Sequence, residues 1–477
     1  MRRFSIYILL LCILSSCIKQ EEHFSKGKAI ITGEILNSEA KVLSLEVIDM
    51  IGGVNTYSAL VKPESGEFEF EVDLFYEHDI ILRHKRTPIQ FLTGPGDSNN
   101  IIIDASTIKG DYFEGLIFTG SNARDNEEIN HYLKQKVFSN QLPNYNNVYV
   151  KHYIEKLTEN IDIGFRDLNR YIEKHNPSKK FITWAKANII YSNANSLVHY
   201  HAFGNMPKTD SLFTSEVFSL NLIENSLNSG YHAHLNNTIY IKYGALNASV
   251  SKAFEDNDKL KATRESILLI KDSDESDIVK DLMIFHRLDY LLEGSLDDFK
   301  KIWHQSENLI NDEFIRSELD SKFNDRRESA ISDNPSLSSV NSSEKNLIGD
   351  LVDDLFIKSA NKILYVDLWA TWCGPCNDAI PYWIELNEYF KNEDKIEFVS
   401  ICMESIRTKW KAVLKHNNLP GTHYFLNNDQ SAAFRGKLNF TGYPTYMIIC
   451  DGKIIDPSAK SPSDKELVDE LVKMLKD

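Results

Sequence analysis

Three patterns of hydrophobic and polar residues follow one another along the chain. In residues 28–121, apolar and polar residues alternate in short runs, of which EFEFEVDL at residues 67–74 is the clearest. Alternation with a period of two indicates strands with one buried and one solvated face, so we expect the glutamates of this run to face water. Several short strands at this spacing predict a β-sandwich.

The middle of the chain, residues 122–330, changes to a helical period. Apolar residues recur there every three or four positions, which is the spacing of one helix face. The clearest set is Tyr153, Leu157, Ile161, Phe165, Leu168 and Ile172. The sequence Asn-Pro-Ser at residues 176–178 predicts the end of this helix, and Ser178 is a suitable N-cap for the next one. We therefore expect a helical domain, followed by a Ser- and Asn-rich linker at residues 331–346.

Strand-like and helix-like segments alternate in residues 347–477. Apolar runs at residues 363–369 and 396–402 predict buried strands, and Asp451-Gly452 predicts a hairpin turn between two further strands. A helix is expected from about residue 375 to residue 389. The pattern predicts an α/β domain with mixed strand pairing, so we expect the whole chain to be a multidomain α+β protein.

The N-terminus, MRRFSIYILLLCILSSC, has the features of an export signal. Arg2 and Arg3 precede an apolar stretch of about a dozen residues, which is shorter than the roughly 20 residues that span a bilayer. The sequence Leu-Ser-Ser-Cys at residues 14–17 resembles the lipobox of bacterial lipoproteins. We therefore expect removal of residues 1–16, attachment of lipid to Cys17 and a polar tether at residues 17–27. The alternative is an ordinary signal peptide with an incidental cysteine.

Composition narrows the class of protein and its partners. The 477 residues are 42% hydrophobic and 26% charged, which suits a chain of two to four domains with real cores. The formal net charge is −16, from 53 basic and 69 acidic residues, and loss of Arg2 and Arg3 with the signal makes it −18. An acidic chain argues against nucleic acid and anionic membrane surfaces as partners. The only membrane contact expected is through the lipid anchor.

The six cysteines are distributed unevenly. Cys12 leaves with the signal and Cys17 is expected to carry lipid, which leaves four cysteines in a large exported chain and argues against a disulfide scaffold. Two of the four, Cys373 and Cys376, stand two residues apart in Cys-Gly-Pro-Cys, between a predicted strand and a predicted helix. A cysteine at a helix N-terminus is activated, because backbone N–H groups and the helix dipole stabilise its thiolate. The spacing therefore describes a reversible dithiol.

Two structural interpretations of this cysteine pair compete with the redox one. The pair could be a permanent disulfide, or it could be half of a metal site. Structural zinc takes about four ligands, commonly from a second Cys or His pair at fixed spacing, and the sequence contains no second Cys-x-x-Cys. We expect redox chemistry, and neither a metal nor a cofactor.

Residues 347–477 resemble thioredoxin and its membrane-tethered relatives of the TlpA, ResA and DsbE type. The resemblance rests on the strand that ends Asp-Leu-Trp-Ala at residues 367–370, on Trp-Cys-Gly-Pro-Cys at residues 372–376 and on Pro381 in the following helix. It also rests on Thr-Gly-Tyr-Pro-Thr at residues 441–445, where the family carries a cis-proline loop. The resemblance implies a thioredoxin fold for this part of the chain.

The resemblance also implies roles for individual residues. Cys373 would attack a substrate disulfide, Cys376 would resolve the mixed disulfide, and Asp367 would manage the proton of Cys376. On the substrate side, the backbone beside Tyr443 and Pro444 would pair with the substrate chain, and Trp372 would cover one side of the site.

Two departures from the family pattern concern the proton manager. Thioredoxin pairs its buried aspartate with a lysine on the neighbouring strand, but residues 396–402, IEFVSIC, contain no lysine. ResA-like relatives carry an acidic residue just after the second cysteine in the helix, where this chain offers only Asp378.

The other cysteines and two histidine pairs have simpler interpretations. Cys402 and Cys450 fall on predicted strands with the Asp367 strand between them, which separates them by about 10 Å, so we expect two buried structural thiols and no disulfide. The pairs His199/His201 and His232/His234 lie in helical sequence, where residues two apart diverge, so we expect core or surface histidines and no metal site.

Taken together, these features predict a membrane-tethered thiol–disulfide oxidoreductase of the cell envelope or periplasm. Its partners would be disulfide-containing envelope proteins and a membrane or envelope electron donor. The Gly-Pro dipeptide between the cysteines is that of thioredoxin, a reductant at about −270 mV, and favours reduction of substrates. The alternative is a lipoprotein whose first two domains bind a peptide or a glycan, with an accessory redox domain.

Overall fold

The computed structural model describes most of the predicted domains. It covers residues 23–135, 150–203, 218–332 and 347–476, apart from residues 39, 41, 85–86, 110–111, 406, 427 and 439. The predicted signal, the lipidation site at Cys17 and nearly all of the predicted linker lie outside the described residues, as do the side chains of His199 and His201. Among the described helices, none is long and apolar enough to cross a membrane.

The N-terminal part folds as two four-stranded sheets around one apolar core. Its strands are β1 Gly27–Leu36, β2 Val42–Asp49, β3 Gly53–Leu60, β4 Glu67–Leu74, β5 His78–His84, β6 Thr87–Thr93, β7 Ser98–Asp104, β8 Ile108–Lys109, β9 Tyr112–Phe113 and β10 Leu116–Gly120. One sheet has the order β10-β7-β1-β4 and the other β3-β2-β5-β6. The predicted β-sandwich is therefore confirmed.

Strand β4 shows the predicted alternation, whereas β3 is a strand that the alternation pattern does not predict. In β4 every apolar residue is buried and Glu67, Glu69 and Glu71 are exposed. Strand β3 lies at the edge of its sheet and buries only Tyr57 and Ala59. An edge strand with so little buried surface needs few apolar residues, so its sequence carries a weak period-two signal.

The middle of the chain is helical, as predicted. Its helices are α1 Ala123–Gln135, α2 Val150–His175, α3 Lys179–Phe203, α4 Ser229–Tyr240, α5 Ala248–Glu255, α6 Lys259–Lys271, α7 Asp277–Gly294, α8 Leu296–Ser306 and α9 Glu313–Ser332. The predicted break between α2 and α3 is present, with Asn176 in the left-handed region at φ 45°. Ser178 caps α3 as expected, because its Oγ accepts from the N–H of Phe181 at 2.9 Å.

A buried carboxylate joins the sandwich to the helices. Asp79, on β5, accepts from Gln90 Nε2 and Trp184 Nε1, both at 2.6 Å. It also accepts from Asn228 Nδ2 at 2.9 Å and from the N–H of Ser229 at 2.7 Å. Asp79 is fully shielded from solvent. Its four donors supply hydrogen bonds in place of those that the carboxylate would make to water, and so offset the cost of its burial. The start of α4 is thereby fixed against the sandwich.

The C-terminal part is an α/β domain. Its elements are α10 Leu347–Lys358, β11 Ile363–Trp369, α11 Gly374–Tyr389, β12 Ile396–Cys402, α12 Arg407–His416, β13 Thr422–Phe425, α13 Asn428–Leu438, β14 Thr445–Cys450, β15 Lys453–Asp456 and α14 Lys465–Met474. The sheet order is β13-β12-β11-β14-β15, with β11, β12 and β13 parallel and the other pairs antiparallel. Mixed pairing and the hairpin at Asp451-Gly452 are as predicted, whereas α10 and α13 were not predicted.

The C-terminal domain packs on the sandwich through α11 and α12. Ile380 and Ile384 of α11 form a small apolar cluster with Val42 of β2. At the end of α12, the ring of His416 stacks on Tyr57 of β3 with centroids 4.8 Å apart. The contact on α11 is made by the middle of that helix, and the contact on α12 is made by its last residue.

Candidate active site

The two cysteines lie where β11 gives way to α11. Cys373 is the N-cap residue of α11, and Cys376 lies in the first turn, with a Cα–Cα distance of 5.2 Å and a disulfide between them. The N–H of Cys376 points at Cys373 Sγ at 3.2 Å. Pro375 occupies the first turn, where its missing N–H costs no helical hydrogen bond. The sequence therefore placed the pair correctly at a helix start.

This position favours a thiolate on Cys373. Backbone N–H groups and the positive end of the helix dipole face its sulfur, and the N–H of Cys376 is already within hydrogen-bonding distance. Both cysteines belong to one apolar cluster with Trp369, Ala370 and Cys402, and they are 5% and 4% exposed. The two sulfurs therefore differ in their relation to the helix start, where a backbone N–H faces Cys373 Sγ.

Two aromatic residues form the walls of the site. Trp372 is 63% exposed, yet its indole is fixed because Nε1 donates to the carbonyl oxygen of Glu404 at 2.7 Å. Tyr443 meets the Trp372 ring edge-to-face at 5.8 Å. The peptide bond between Tyr443 and Pro444 is cis, as the sequence suggested. The structure thus brings Trp372, the cysteines and the cis-proline loop together.

Asp367 lies on the face of the sheet that α11 covers. Side chains of alternate residues share a face of a strand, so Asp367 shares its face with Tyr365 and Trp369. Tyr365 packs against Trp383 of α11, with ring centroids 6.0 Å apart, and Trp369 belongs to the cluster around the cysteines. Asp367 thus lies beneath the helix that carries Cys376.

The carboxyl group of Asp367 is held as a weak acid. Its Oδ1 is shielded from solvent and has no hydrogen-bond partner among the described residues. Burial raises the pKa of Asp367 to about 8. Ser400 is its register partner on β12, but the Ser400 hydroxyl accepts from Trp369 Nε1 at 2.7 Å. The place of the missing lysine is therefore not taken by another cation on β12, and Asp378 is exposed on the outer side of α11.

The remaining cysteines are both free, but they differ from each other. Strand β11 does lie between them, and Cys402 is opposite Trp369 while Cys450 is opposite Ile363. These positions are six residues apart on β11. The two cysteines are therefore displaced by roughly 20 Å along the strands as well as by the predicted distance across them. Cys402 is buried, and burial raises the pKa of its thiol to about 12. The expectation of a buried Cys450 was wrong, because that residue ends the strand at a hairpin and is only partly covered.

The second histidine pair belongs to the helical core. His232 and His234 are 4% and 2% exposed, and His234 Nε2 lies 3.1 Å from the carbonyl oxygen of Phe218. Among the described residues, no three His, Cys, Asp or Glu side chains gather as metal ligands would. Both residues are core histidines, one of the two outcomes that the sequence predicted.

Sequence reasoning missed the residues behind the two walls. Arg435 of α13 donates from a guanidinium nitrogen to Glu404 Oε1 at 2.8 Å. Its guanidinium also lies over the rings of Tyr443 and Phe440, at 5.0 and 4.8 Å from their centroids. No sequence motif marks these residues, because α13 was itself not predicted and Glu404 lies in a loop.

Comparison with known proteins agrees with this geometry. Residues 361–454 match the family described as Thioredoxin-like. The C-terminal domain is a thioredoxin-like domain. The family expected from the sequence is thereby confirmed for this part of the chain, together with the α+β architecture around it.

The individual relatives cover only this thioredoxin-like domain. The chain is 37% identical over 92 residues to Thioredoxin Y1, chloroplastic, of Arabidopsis thaliana, which is 19% of this chain and 49% of that protein. It is 25% identical to Thioredoxin of Bacillus subtilis strain 168, over 24% of this chain and 84% of that protein. A solution structure from Bacteroides vulgatus, named as a thiol-disulfide oxidoreductase, is 29% identical over 25% of this chain and 78% of that one, with a TM-score of 0.23. The chain spans about half the length of the chloroplast thioredoxin that it matches.

Proposed function

We propose that this protein is a membrane-tethered thiol–disulfide oxidoreductase that reduces disulfides of envelope proteins. The observation that carries the proposal is the disulfide between Cys373, the N-cap of α11, and Cys376, one turn later. A permanent structural staple would not require a helix N-terminus that activates one of its sulfurs. The match of residues 361–454 to the thioredoxin-like family supports the same chemistry.

The reaction begins with the reduced dithiol. The Cys373 thiolate attacks one sulfur of a substrate disulfide, which breaks the substrate S–S bond, forms a mixed disulfide and releases the other substrate sulfur as a thiolate. Cys376 then loses its proton and attacks Cys373 Sγ. This step releases the second substrate sulfur and forms the Cys373–Cys376 disulfide seen in the structure. Two electrons pass from the protein to the substrate, and a dithiol donor of the envelope must restore the reduced pair.

Asp367 is the proposed proton acceptor for Cys376. At pH 7 about a tenth of a group with a pKa of about 8 is ionised, and that carboxylate is a stronger base for the thiol proton than the carboxylate of an ordinary aspartate. The carboxyl lies beneath α11 and has an unpartnered oxygen to receive the proton. The same residue is then available to return the proton when the disulfide is reduced.

The location of the reaction follows from the N-terminal sequence. The lipobox at residues 14–17 supports export and attachment to a membrane through Cys17, with residues 17–27 as the tether. The envelope is an oxidising compartment, where proteins contain disulfides on which such an enzyme would act. The electron donor would be another dithiol protein of the membrane or envelope.

Trapping of mixed disulfides in the full chain tests this assignment. Cys376→Ser cannot resolve the intermediate, so it should accumulate mixed disulfides with envelope proteins on non-reducing gels. Cys373→Ser is the matched control, and it should trap none. Equal trapping by both variants would refute Cys373 as the attacking thiol, and absence of trapping together with no reduction of insulin by the wild type would refute the activity.

A further inference from the structure

Glu404 contacts both walls of the candidate site, although it lies outside every motif considered above. It follows β12 and has a left-handed backbone conformation, with φ 47°. Residues with a side chain rarely adopt this conformation, so the loop must be held in place by its contacts. The backbone N–H of Glu404 donates to Ser431 Oγ at 3.1 Å, and Ser431 is fully buried on α13.

The backbone of Glu404 fixes the first wall. Its carbonyl oxygen accepts from Trp372 Nε1 at 2.7 Å. An indole that is 63% exposed would otherwise rotate between rotamers, because few neighbouring atoms restrain it. Thr371, the residue before Trp372, is tied to the same loop, since its N–H donates to Ser405 Oγ at 2.9 Å.

The side chain of Glu404 fixes the second wall through Arg435. The carboxylate accepts from the Arg435 guanidinium at 2.8 Å, and that guanidinium lies over the Tyr443 ring at 5.0 Å. Burial raises the pKa of Tyr443 to about 12, so the ring remains a neutral phenol at ordinary pH and attracts the cation. Tyr443 directly precedes the cis-proline at position 444.

We infer that Glu404 and Arg435 are positioning residues that hold Trp372 and the Tyr443-Pro444 loop, whose rings meet edge-to-face, as one substrate-facing surface beside the cysteines. The inference rests on the proposed function, and it names an extended polypeptide as the substrate class. A polypeptide must lie against this surface to present its disulfide to Cys373. A small disulfide needs only to reach the sulfur, so the placement of Trp372 and Tyr443 matters much less to it.

The ion pair does not serve mainly to stabilise the fold. The side chains of Arg435 and Glu404 are 29% and 36% exposed, and partly exposed pairs of this kind contribute little to folding. Their effect is instead geometric, because a displaced wall weakens the alignment of substrate and nucleophile. Loss of the pair should therefore change substrate binding while leaving the cysteines and the fold intact.

The test compares two disulfides with the full chain, which dithiothreitol returns to the dithiol after each turnover and whose own slow reaction with each disulfide is subtracted. Insulin serves as the polypeptide substrate, and bis-hydroxyethyl disulfide serves as a small, neutral one. For Arg435→Met and for Glu404→Gln, we expect the KM for insulin to rise roughly three- to tenfold with little change in kcat, which is a loss of about 0.7–1.4 kcal/mol of binding. Turnover of the small disulfide should remain within about twofold of wild type. Arg435→Lys keeps a cation opposite Glu404 and should recover much of the insulin KM.

Lys437→Met is the matched control, because Lys437 is an exposed cation on the same helix. It removes one positive charge without touching either wall, so its KM for insulin should be that of wild type. An insulin KM for Arg435→Met no higher than that of Lys437→Met would overturn the inference. Equal loss with both substrates would also overturn it, because the pair would then act on the cysteines themselves. If the wild type reduces neither substrate, it is the proposed function that fails.

Discussion

Replacement of Asp367 by asparagine should stabilise the oxidised protein at neutral pH, and the difference in stability from wild type should shift in favour of the variant as the pH rises towards 8. The folded pKa of about 8 lies above the ordinary value of 3.8. Because burial favours the protonated form, the fold has its full stability below pH 3.8 and loses stability as the pH rises through about 8. Asparagine has nearly the same shape as aspartate and does not ionise. The decline of folding stability with rising pH should therefore be absent from the variant.

The magnitude follows from the difference between the two pKa values. A pH of 7 lies about three units above the ordinary pKa of aspartate, and each unit corresponds to 1.36 kcal/mol. Keeping Asp367 protonated in the folded state at pH 7 therefore costs on the order of 4 kcal/mol of stability. The buried amide of asparagine also lacks partners, which costs about 1–3 kcal/mol. We therefore expect a net stabilisation of about 1–3 kcal/mol at pH 7 and a net destabilisation of about 0.5–2.5 kcal/mol near pH 4, where the cost of the amide remains.

Two assays separate the structural effect of Asp367 from its catalytic one. Urea unfolding of wild type and Asp367→Asn at several values between pH 4 and pH 9, with the disulfide intact, measures the stability difference. Stopped-flow reduction of a disulfide peptide measures the two chemical steps. The variant should form the mixed disulfide at the wild-type rate but resolve it more slowly near neutral pH, because Cys376 has lost its proton acceptor.

Two results would refute this reasoning. Parallel stability curves for the two proteins across the whole pH range would show that Asp367 is not a buried acid with a raised pKa. Unchanged kinetics in both phases, with a changed stability curve, would show that the buried acid takes no part in proton transfer.

Three further predictions concern other parts of the molecule. Cys17→Ala should move the protein from the membrane fraction to the soluble fraction, and the intact mass of the wild type should show a lipidated N-terminus at Cys17; an unmodified N-terminus elsewhere would contradict the lipobox. Burial lowers the pKa of His234 from 6.5 to about 4, so its contribution to stability is present above pH 6.5 and declines as the pH falls towards 4. His234→Gln should therefore reduce the loss of unfolding free energy between pH 7 and pH 5 by about 2 kcal/mol in urea titrations, and an unchanged slope would contradict this. Asp79→Ala leaves the donors of Trp184, Gln90 and α4 without an acceptor and should destabilise the protein by about 3–5 kcal/mol in the same assay, unlike an exposed control such as Glu69→Ala.

The candidate site illustrates what a local motif can specify. Cys373 and Cys376 were found from the sequence because their spacing, the preceding apolar strand and Pro375 together define a helix start. The cis-proline loop was expected because residues 441–445 resemble the corresponding loop of the thioredoxin family. These features depend on residues that are neighbours in the chain, so the chain order itself carries the information.

The contacts that complete the site depend on residues far apart in sequence. Glu404 and Arg435 are 31 residues apart, and Asp79 meets Trp184 and Ser229 across separations of 105 and 150 residues. A glutamate in a loop and an arginine on a helix look the same in sequence whether they face water or each other. Only the packing of α13 against the loop after β12 makes them a pair.

The sequence by itself determined the three structural classes along the chain, the helix start at the cysteines and the solvated side of β4. It could do so because burial of one face imposes a period of two on a strand and of 3.6 on a helix. The tertiary structure decided that β3 is an edge strand, that Cys450 is partly exposed and that Trp372 and Tyr443 are joined through Glu404 and Arg435. Strand order and packing of elements fix these features, because each depends on which surface meets which, and hydrophobic periodicity within one segment does not contain that information.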